Sequence, residues 1–270
     1  MAFVIAEIGV NHDGDIEKAK ALVSAAKDAG ADAAKFQAYN ADALEPDGQR
    51  RQMLARYQFT GEQFGELKSH CDDVGIAFLA SPFDVESLSA LLELGVKSIK
   101  IASGEMKNEA LLEKACEAGK TIILSTGAHE PGEIRRAVQF IDQRRKGGLI
   151  LLHCVSAYPA PIHDTNLKAL NWLRSEFQAS VGLSDHTTSI HIPIAAVAMG
   201  AVMIEKHLTL DRNAEGPDHQ ASLEPDAFKL MVEGIKEVES ALGDGRKRIM
   251  PSEYAVRTVI DERNAFRGLR

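Results

Sequence analysis

The sequence predicts a (β/α)8 TIM barrel, and three observations carry that prediction. Eight short β-rich runs alternate with longer segments of helical period. A glycine closes several of those helical segments just before the next run. The 270 residues match the usual size of one such barrel. The runs are 3–11 (FVIAEIGVN), 32–39 (DAAKFQAY), 77–83 (AFLASPF), 98–105 (SIKIASGE), 121–127 (TIILSTG), 148–158 (GLILLHCVSAY), 180–187 (SVGLSDHT) and 201–210 (AVMIEKHLTL).

Between the runs, Ile134, Ala137, Val138 and Ile141 recur at helical spacing, and Phe228, Met231, Ile235, Val238 and Leu242 form a longer stripe. Gly30, Gly75, Gly95, Gly119 and Gly200 fall where a helix ends on a left-handed residue, a conformation that suits a side chain without Cβ. The strands are too apolar to leave one face in water, so they form a parallel sheet covered by helices. Their number selects the closed barrel over an open doubly wound sheet. The barrel is expected over 1–245. A tail or linker remnant is expected over 246–270, opening on the basic residues Arg246, Lys247 and Arg248.

Composition narrows the function. With 31 Lys and Arg against 39 Asp and Glu, the net charge of -8 offers no basic face to a phosphate backbone, so no nucleic-acid partner is expected. The longest apolar run, 192–204, contains Pro193 and is too short to span a bilayer, and the N-terminal segment lacks a basic leader and includes Glu7. No membrane association is expected. Three widely spaced cysteines, Cys71, Cys116 and Cys154, suggest neither a disulfide framework nor a thiolate zinc site, which points to a reduced, cytoplasmic compartment. What remains is an enzyme acting on a small molecule.

Polar residues gather at the C-terminal ends of the strands, where a β/α barrel assembles its active site. Glu7 and Asn11 end the first strand, Lys35 and Gln37 the second, and Ser81 the third. Lys100, Ser103 and Glu105 end the fourth, and Ser125 the fifth. His153, Ser156 and Tyr158 end the sixth, Ser184, Asp185 and His186 the seventh, and Glu205 and His207 the eighth. Burying a polar group costs free energy unless it is paired, so packing alone does not account for eight such ends.

Lys35 and Lys100 sit inside apolar strands and need an anionic partner. That partner is a substrate phosphate or carboxylate, or an ion pair with Glu7, Glu105 or Glu205. A Schiff-base lysine is a third reading. His186 and His207 fall near the ends of adjacent strands with carboxylates close by, which suits either a divalent cation or acid–base catalysis. The loop after the eighth strand returns Asp218 and His219 over the same end. No Walker, GxGxxG, HExxH or GxSxG motif occurs.

The segments AEIGVNHDG (6–14), AKFQAY (34–39), FLASPFD (78–84), KIASGE (100–105), ILSTGA (123–128), LLHCVSAYP (151–159), GLSDHT (182–187), and EKHLTL with GPDH (205–219) run in order along nearly the whole chain. In them the sequence resembles the sialic acid synthase (N-acetylneuraminate synthase) family. The resemblance implies a barrel that condenses phosphoenolpyruvate with an N-acetylmannosamine-type aldose, using a divalent cation, usually Mn2+, with Mg2+ or Co2+ as alternatives. It implies metal ligation by His186 and His207, and phosphoenolpyruvate binding by Lys35, Ser81, Lys100, Ser103, Ser125 and Ser184. It also implies sugar contacts at Glu7, Tyr158 and Asp218, with Glu105 at the reacting centre.

Three departures bear on the acceptor. Ser156 stands where the family carries Asn, the segment from Asn40 to about Phe59 that lines the sugar pocket is short, and a barrel without the family's antifreeze-like domain is expected. The resemblance further implies a homodimer. The rival readings are a lysine Schiff-base pyruvate aldolase and a barrel that binds a sugar or phosphate without turning it over.

Overall fold

The computed structural model describes residues 1–45 and 47–268. Eight strands appear at the expected places. They are β1 (Phe3–Gly9), β2 (Ala33–Ala38), β3 (Ala77–Pro82), β4 (Ser98–Ile101), β5 (Thr121–Ser125), β6 (Leu149–Cys154), β7 (Ser180–Asp185) and β8 (Met203–His207). All ladders are parallel and run β3-β2-β1-β8-β7-β6-β5-β4, and the two end strands lie side by side to close the barrel.

The helices around the strands are α1 (Ile16–Asp28), α2 (Ala41–Leu44), α3 (Gly48–Tyr57), α4 (Gly61–Val74), α5 (Val85–Glu93) and α6 (Glu109–Glu117). They continue with α7 (Pro131–Asp142), α8 (Ala169–Phe177), α9 (His191–Ala198), α10 (Pro225–Leu242) and α11 (Tyr254–Phe266). Gly30, Gly75, Gly95, Gly119 and Gly200 all adopt positive φ, from 66° to 87°, as the helix-stop reading requires. On α7 the four spaced apolar residues are the buried ones. On α10 the stripe is buried through Ile235, whereas Leu242 is exposed.

Inside the barrel, side-chain alternation builds two layers. Ile5, Ala33, Leu79, Ile123, Leu152 and Met203 pack into an apolar plug. Two residues further along the same strands stand Glu7, Lys35, Ser81, Ser125, Cys154 and Glu205, all buried. Because a strand returns to the same face every second residue, the apolar plug and the polar layer above it are one pattern read at two heights.

The strands end sooner than the β-rich runs do. β4 stops at Ile101, and Ser103–Glu105 forms a 3-10 turn, so those residues leave the strand's alternation. Ser156 and Tyr158 likewise lie in the connection beyond β6, and the Tyr158–Pro159 peptide is cis. The segment 40–59, expected as a loop over the pocket, holds α2 and α3, and its described residues contribute none to the wall of the cavity at the strand ends.

The chain divides into a unit of Met1–Glu239 and a second of Ser240–Arg270. The second unit contains a helix, α11, with no buried residue.

Candidate active site

A cavity of about 350 Å³ opens at the C-terminal end of the barrel. Strand register sets its walls: Glu7 is opposite both Lys35 and His207, and Ser184 is opposite Glu205. Of the residues expected there, Glu7, Lys35, Gln37, Ser81, Lys100, Ser103, Ser125, Ser156, Tyr158, Ser184, His186, His207 and Asp218 line it.

Glu105 and Asn11 do not. The Glu105 carboxylate accepts a hydrogen bond from Asn108 Nδ2 at 2.8 Å on the turn that follows β4. Asn11 is fully buried and donates to the Leu208 carbonyl and to Ser222 Oγ, both at 2.9 Å, which is a structural tie. His219 is also buried away from the cavity, against Thr209 Oγ1 at 2.7 Å. His153 points to the outer side of β6, where its Nε2 donates to the Thr165 carbonyl at 2.7 Å. Cys154 and His129 line the cavity as well, and so does Glu205, which the sequence placed at the end of the eighth strand as a possible partner of the lysines.

Two lysines and two carboxylates form the floor. Lys35 Nζ lies 2.6 Å from Glu7 Oε2 and 3.5 Å from Glu205 Oε2, and it donates to Ser81 Oγ at 3.0 Å. Lys100 Nζ is 3.6 Å from Glu205 Oε1 and 3.3 Å from the Ile101 carbonyl. The ion-pair partners of the lysines are therefore Glu7 and Glu205, not Glu105.

Burial pushes Glu7 up to about 7 despite the pull of Lys35. Burial also works against Glu205, but Lys100, Lys35 and a 2.8 Å hydrogen bond from Ser184 Oγ outweigh it and hold Glu205 down to about 2. Two carboxylates pushed apart in this way divide the labour: Glu205 stays a fixed anion, and Glu7 is the one able to exchange a proton. For Lys35, burial is likewise outweighed by Glu205 and Glu7, which raise it, whereas burial lowers Lys100.

Beside this floor lie hydrogen-bond donors without acceptors. Ser125 Oγ is buried and has no partner among the described residues. Ser103 Oγ accepts from the Gly127 amide at 2.9 Å, which leaves its own hydroxyl proton free. A Cβ built on Gly127 would stand 2.4 Å from Ser156 Oγ, 3.0 Å from Cys154 Sγ and 3.1 Å from Ser103 Oγ. Only glycine lets these groups close around one point. Unsatisfied donors next to two ammonium groups make a receptor for an oxyanion.

The imidazoles of His186 and His207 stand with ring centroids 5.3 Å apart, and Tyr158 lies over His186 at 4.2 Å. His186 Nδ1 is 2.7 Å from the Val155 carbonyl, so that nitrogen carries the proton and Nε2 the lone pair. Burial holds His207 well below the ordinary histidine value, and its Nδ1 is buried without a hydrogen-bond partner among the described residues, 3.8 Å from Asp218 Oδ2. Two adjacent imidazoles, His207 held neutral by burial and His186 with Nε2 left for a ligand, fit a borderline divalent cation. Among the described residues no group of three or more His, Cys, Asp or Glu converges as a ligand cage, so the remaining positions would fall to substrate oxygens and water.

Together the fold and the cavity define a (β/α)8-barrel protein with two buried lysines, two buried carboxylates and two imidazoles gathered at the C-terminal end of its strands. Residues 22–247 match the NeuB family, and the chain belongs to that family. It is 44% identical to an uncharacterized protein of Methanocaldococcus jannaschii, over 98% of this chain and 81% of that one. It is 43% identical to an N,N'-diacetyllegionaminic acid synthase of Campylobacter jejuni, over 93% and 80%. In structure it is similar to the N-acetylneuraminic acid (sialic acid) synthetase of Leptospira borgpetersenii solved with citrate. That match has a TM-score of 0.90 at 39% identity and covers 98% of this chain and 92% of that one.

No helix among the described residues is long and apolar enough to cross a membrane, and all three cysteines are free and buried.

Proposed function

We propose that this chain condenses phosphoenolpyruvate with the aldehyde of an N-acylated amino sugar, giving a 3-deoxy-2-ulosonic acid and inorganic phosphate. The observation that carries the reading is two buried lysines beside the Ser125 hydroxyl, which has no partner among the described residues, and the Ser103 hydroxyl, whose oxygen accepts from Gly127. A substrate bearing both a carboxylate and a phosphate supplies the acceptors that these donors lack. The synthase names of the relatives support the reading, and because they name different sugar acids, the acceptor is proposed only as a class.

In this mechanism Lys35 and Lys100 neutralise the donor's anionic groups, and Ser81, Ser103, Ser125, Ser156 and Ser184 orient them. The enol C3 attacks the aldehyde carbon, water adds at C2, and phosphate leaves with cleavage of the C2–O bond. Glu7 is placed to carry the proton that this sequence moves. Tyr158, Gln37 and Asp218 border the space left for the acceptor. His186 and His207 would hold a divalent cation, manganese above magnesium or cobalt, which when bound polarises the aldehyde oxygen. We further propose a homodimer working in the cytoplasm.

The test is phosphate release from phosphoenolpyruvate across a panel of hexoses, N-acetylmannosamine and diamino sugars. Release with one acceptor that stops with EDTA and returns with manganese is expected. No release with any acceptor from metal-replete protein favours a barrel that binds without turnover.

A second reading rests on Lys100, whose charge burial disfavours. A Schiff-base aldolase would use it on pyruvate, and borohydride trapping of pyruvate on the chain would support that reading.

A further inference from the structure

His129 has no role in the reaction as derived above, yet it stands on the wall of the same cavity. The turn that places it is built with care. After β5, Gly127 sits where Ser103, Cys154 and Ser156 crowd together. The next residue, Ala128, adopts φ 57°, a left-handed conformation that costs a non-glycine residue about 1 kcal/mol. That turn brings His129 back so that its Nδ1 lies 2.7 Å from the Gly127 carbonyl. A carbonyl can only accept, so Nδ1 carries a proton, and Nε2 is the nitrogen left for a ligand. The amide of the same Gly127 is tied to Ser103 Oγ. One glycine thus links the imidazole to the serine cluster, through its carbonyl on one side and its N–H on the other.

His129 also borders a second cavity of about 820 Å³ between α7 and α8, lined by Glu130, His153, Asn166, Lys168 and Trp172 among others. Ala128, His129 and Cys154 are common to both cavities. The imidazole therefore stands where the serine cluster meets an open space outside the strand wall.

We propose that His129 is a further substrate-binding residue, which as an imidazolium donates its Nε2–H to an oxygen of the donor's phosphoryl group, and then of the inorganic phosphate product. This rests on the reading of the serine cluster as the oxyanion receptor. It adds a donor that the cluster lacks on the side facing the second cavity. The backbone bond to Gly127 fixes the ring, so the imidazole is oriented before the anion arrives, and strain at Ala128 is the cost of that orientation.

The experiment is calorimetric titration of the metal-loaded chain with inorganic phosphate, which needs no turnover. His129→Ala is expected to weaken phosphate binding roughly tenfold, the worth of one hydrogen bond to a charged group. His129→Gln, which keeps a side-chain donor, is expected to recover part of that loss. Melting temperature and the KM for the sugar acceptor should stay unchanged in both variants, a separation that a purely structural role in the turn would not give. Phosphate affinity equal to that of the parent in His129→Ala overturns the proposal, as does a loss accompanied by an equal fall in stability. Lys100→Met separates the two levels of inference. If it binds phosphate as well as the parent does, the oxyanion receptor itself is misplaced and the role of His129 falls with it.

Discussion

Lys206 Nζ bonds the Asp185 carboxylate, both side chains being almost entirely buried, and the same ammonium also takes the carbonyl of Thr187 and that of Ser189. Lys206 sits on β8 between the inward-facing Glu205 and His207, whereas Asp185 ends β7 beside His186. On the outer side of the barrel this pair holds together the two strand ends that carry the imidazoles on the inner side. A buried ion pair adds little net stability over an apolar pair of the same shape. Removing one partner strands a charge.

Lys206→Met should therefore cost about 3 to 5 kcal/mol in urea unfolding, while the double variant Lys206→Met, Asp185→Leu recovers much of it. A single variant as stable as the parent would show that the pair does not hold these strand ends.

The metal assignment makes a cleaner demand. His207→Ala should leave the barrel folded, since the imidazole is not bonded to any neighbour through Nδ1. It should abolish manganese binding, read as bound metal per chain after gel filtration. Retained stoichiometry would move the ligand role elsewhere.

For the proton carrier, Glu7→Gln should lower kcat by roughly a hundredfold or more at unchanged fold, the usual loss on removing a general acid or base. Glu105→Gln, whose parent carboxylate is spent on Asn108, should change kcat far less. Equal losses in the two variants would return the role to Glu105.

The close approach at Gly127 can be tested by adding a single methyl group. In Gly127→Ala the new Cβ meets Ser156 Oγ at 2.4 Å, so the serine cluster must open. The KM for phosphoenolpyruvate should rise, with about 1 to 3 kcal/mol lost in stability from overpacking. An unchanged KM would mean that the donor does not bind among these serines.

His12 sets a pH limit on stability. Its ring stacks on Phe59 at 4.1 Å, its Nδ1 accepts from the Gly14 amide at 3.0 Å, and burial pushes it down to about 4. Between that value and the ordinary histidine value near 6.5, the unfolded chain binds more protons than the folded one, so stability rises with pH across this window. His12 should contribute about 3 kcal/mol above pH 6.5, lost progressively as the pH falls to 4. Urea midpoints measured from pH 4 to 7 should show that slope in the parent and a reduced one in His12→Gln. Parallel slopes would assign the acid sensitivity to other groups.

Much of the barrel was legible because strand alternation and helix-stop glycines are local signals. The eight strands stand where the β-rich runs do, and only their ends differ. At 98–105 the run continues in β-like composition past Ile101, but the chain turns there, and the turn carries Glu105 out of the cavity while keeping Ser103 in it. Glu205 and Cys154 had a usable signal, since each lies two residues beyond a plug residue, Met203 and Leu152. His129 had none. It follows the strand in a left-handed turn that no periodicity announces.

The sequence by itself determined the barrel, its polar end and the residue types gathered there, because a period of two fixes which side chains share a layer. Only the tertiary structure decided what each of those residues is. Glu7 and Glu205 are the same side chain in the same layer. The carboxylate set between two ammonium groups keeps its charge, and the one whose burial outweighs the pull of Lys35 can take up a proton. Electrostatic energy in a low-dielectric interior depends on distances across the barrel, and those distances exist only once the strands have closed.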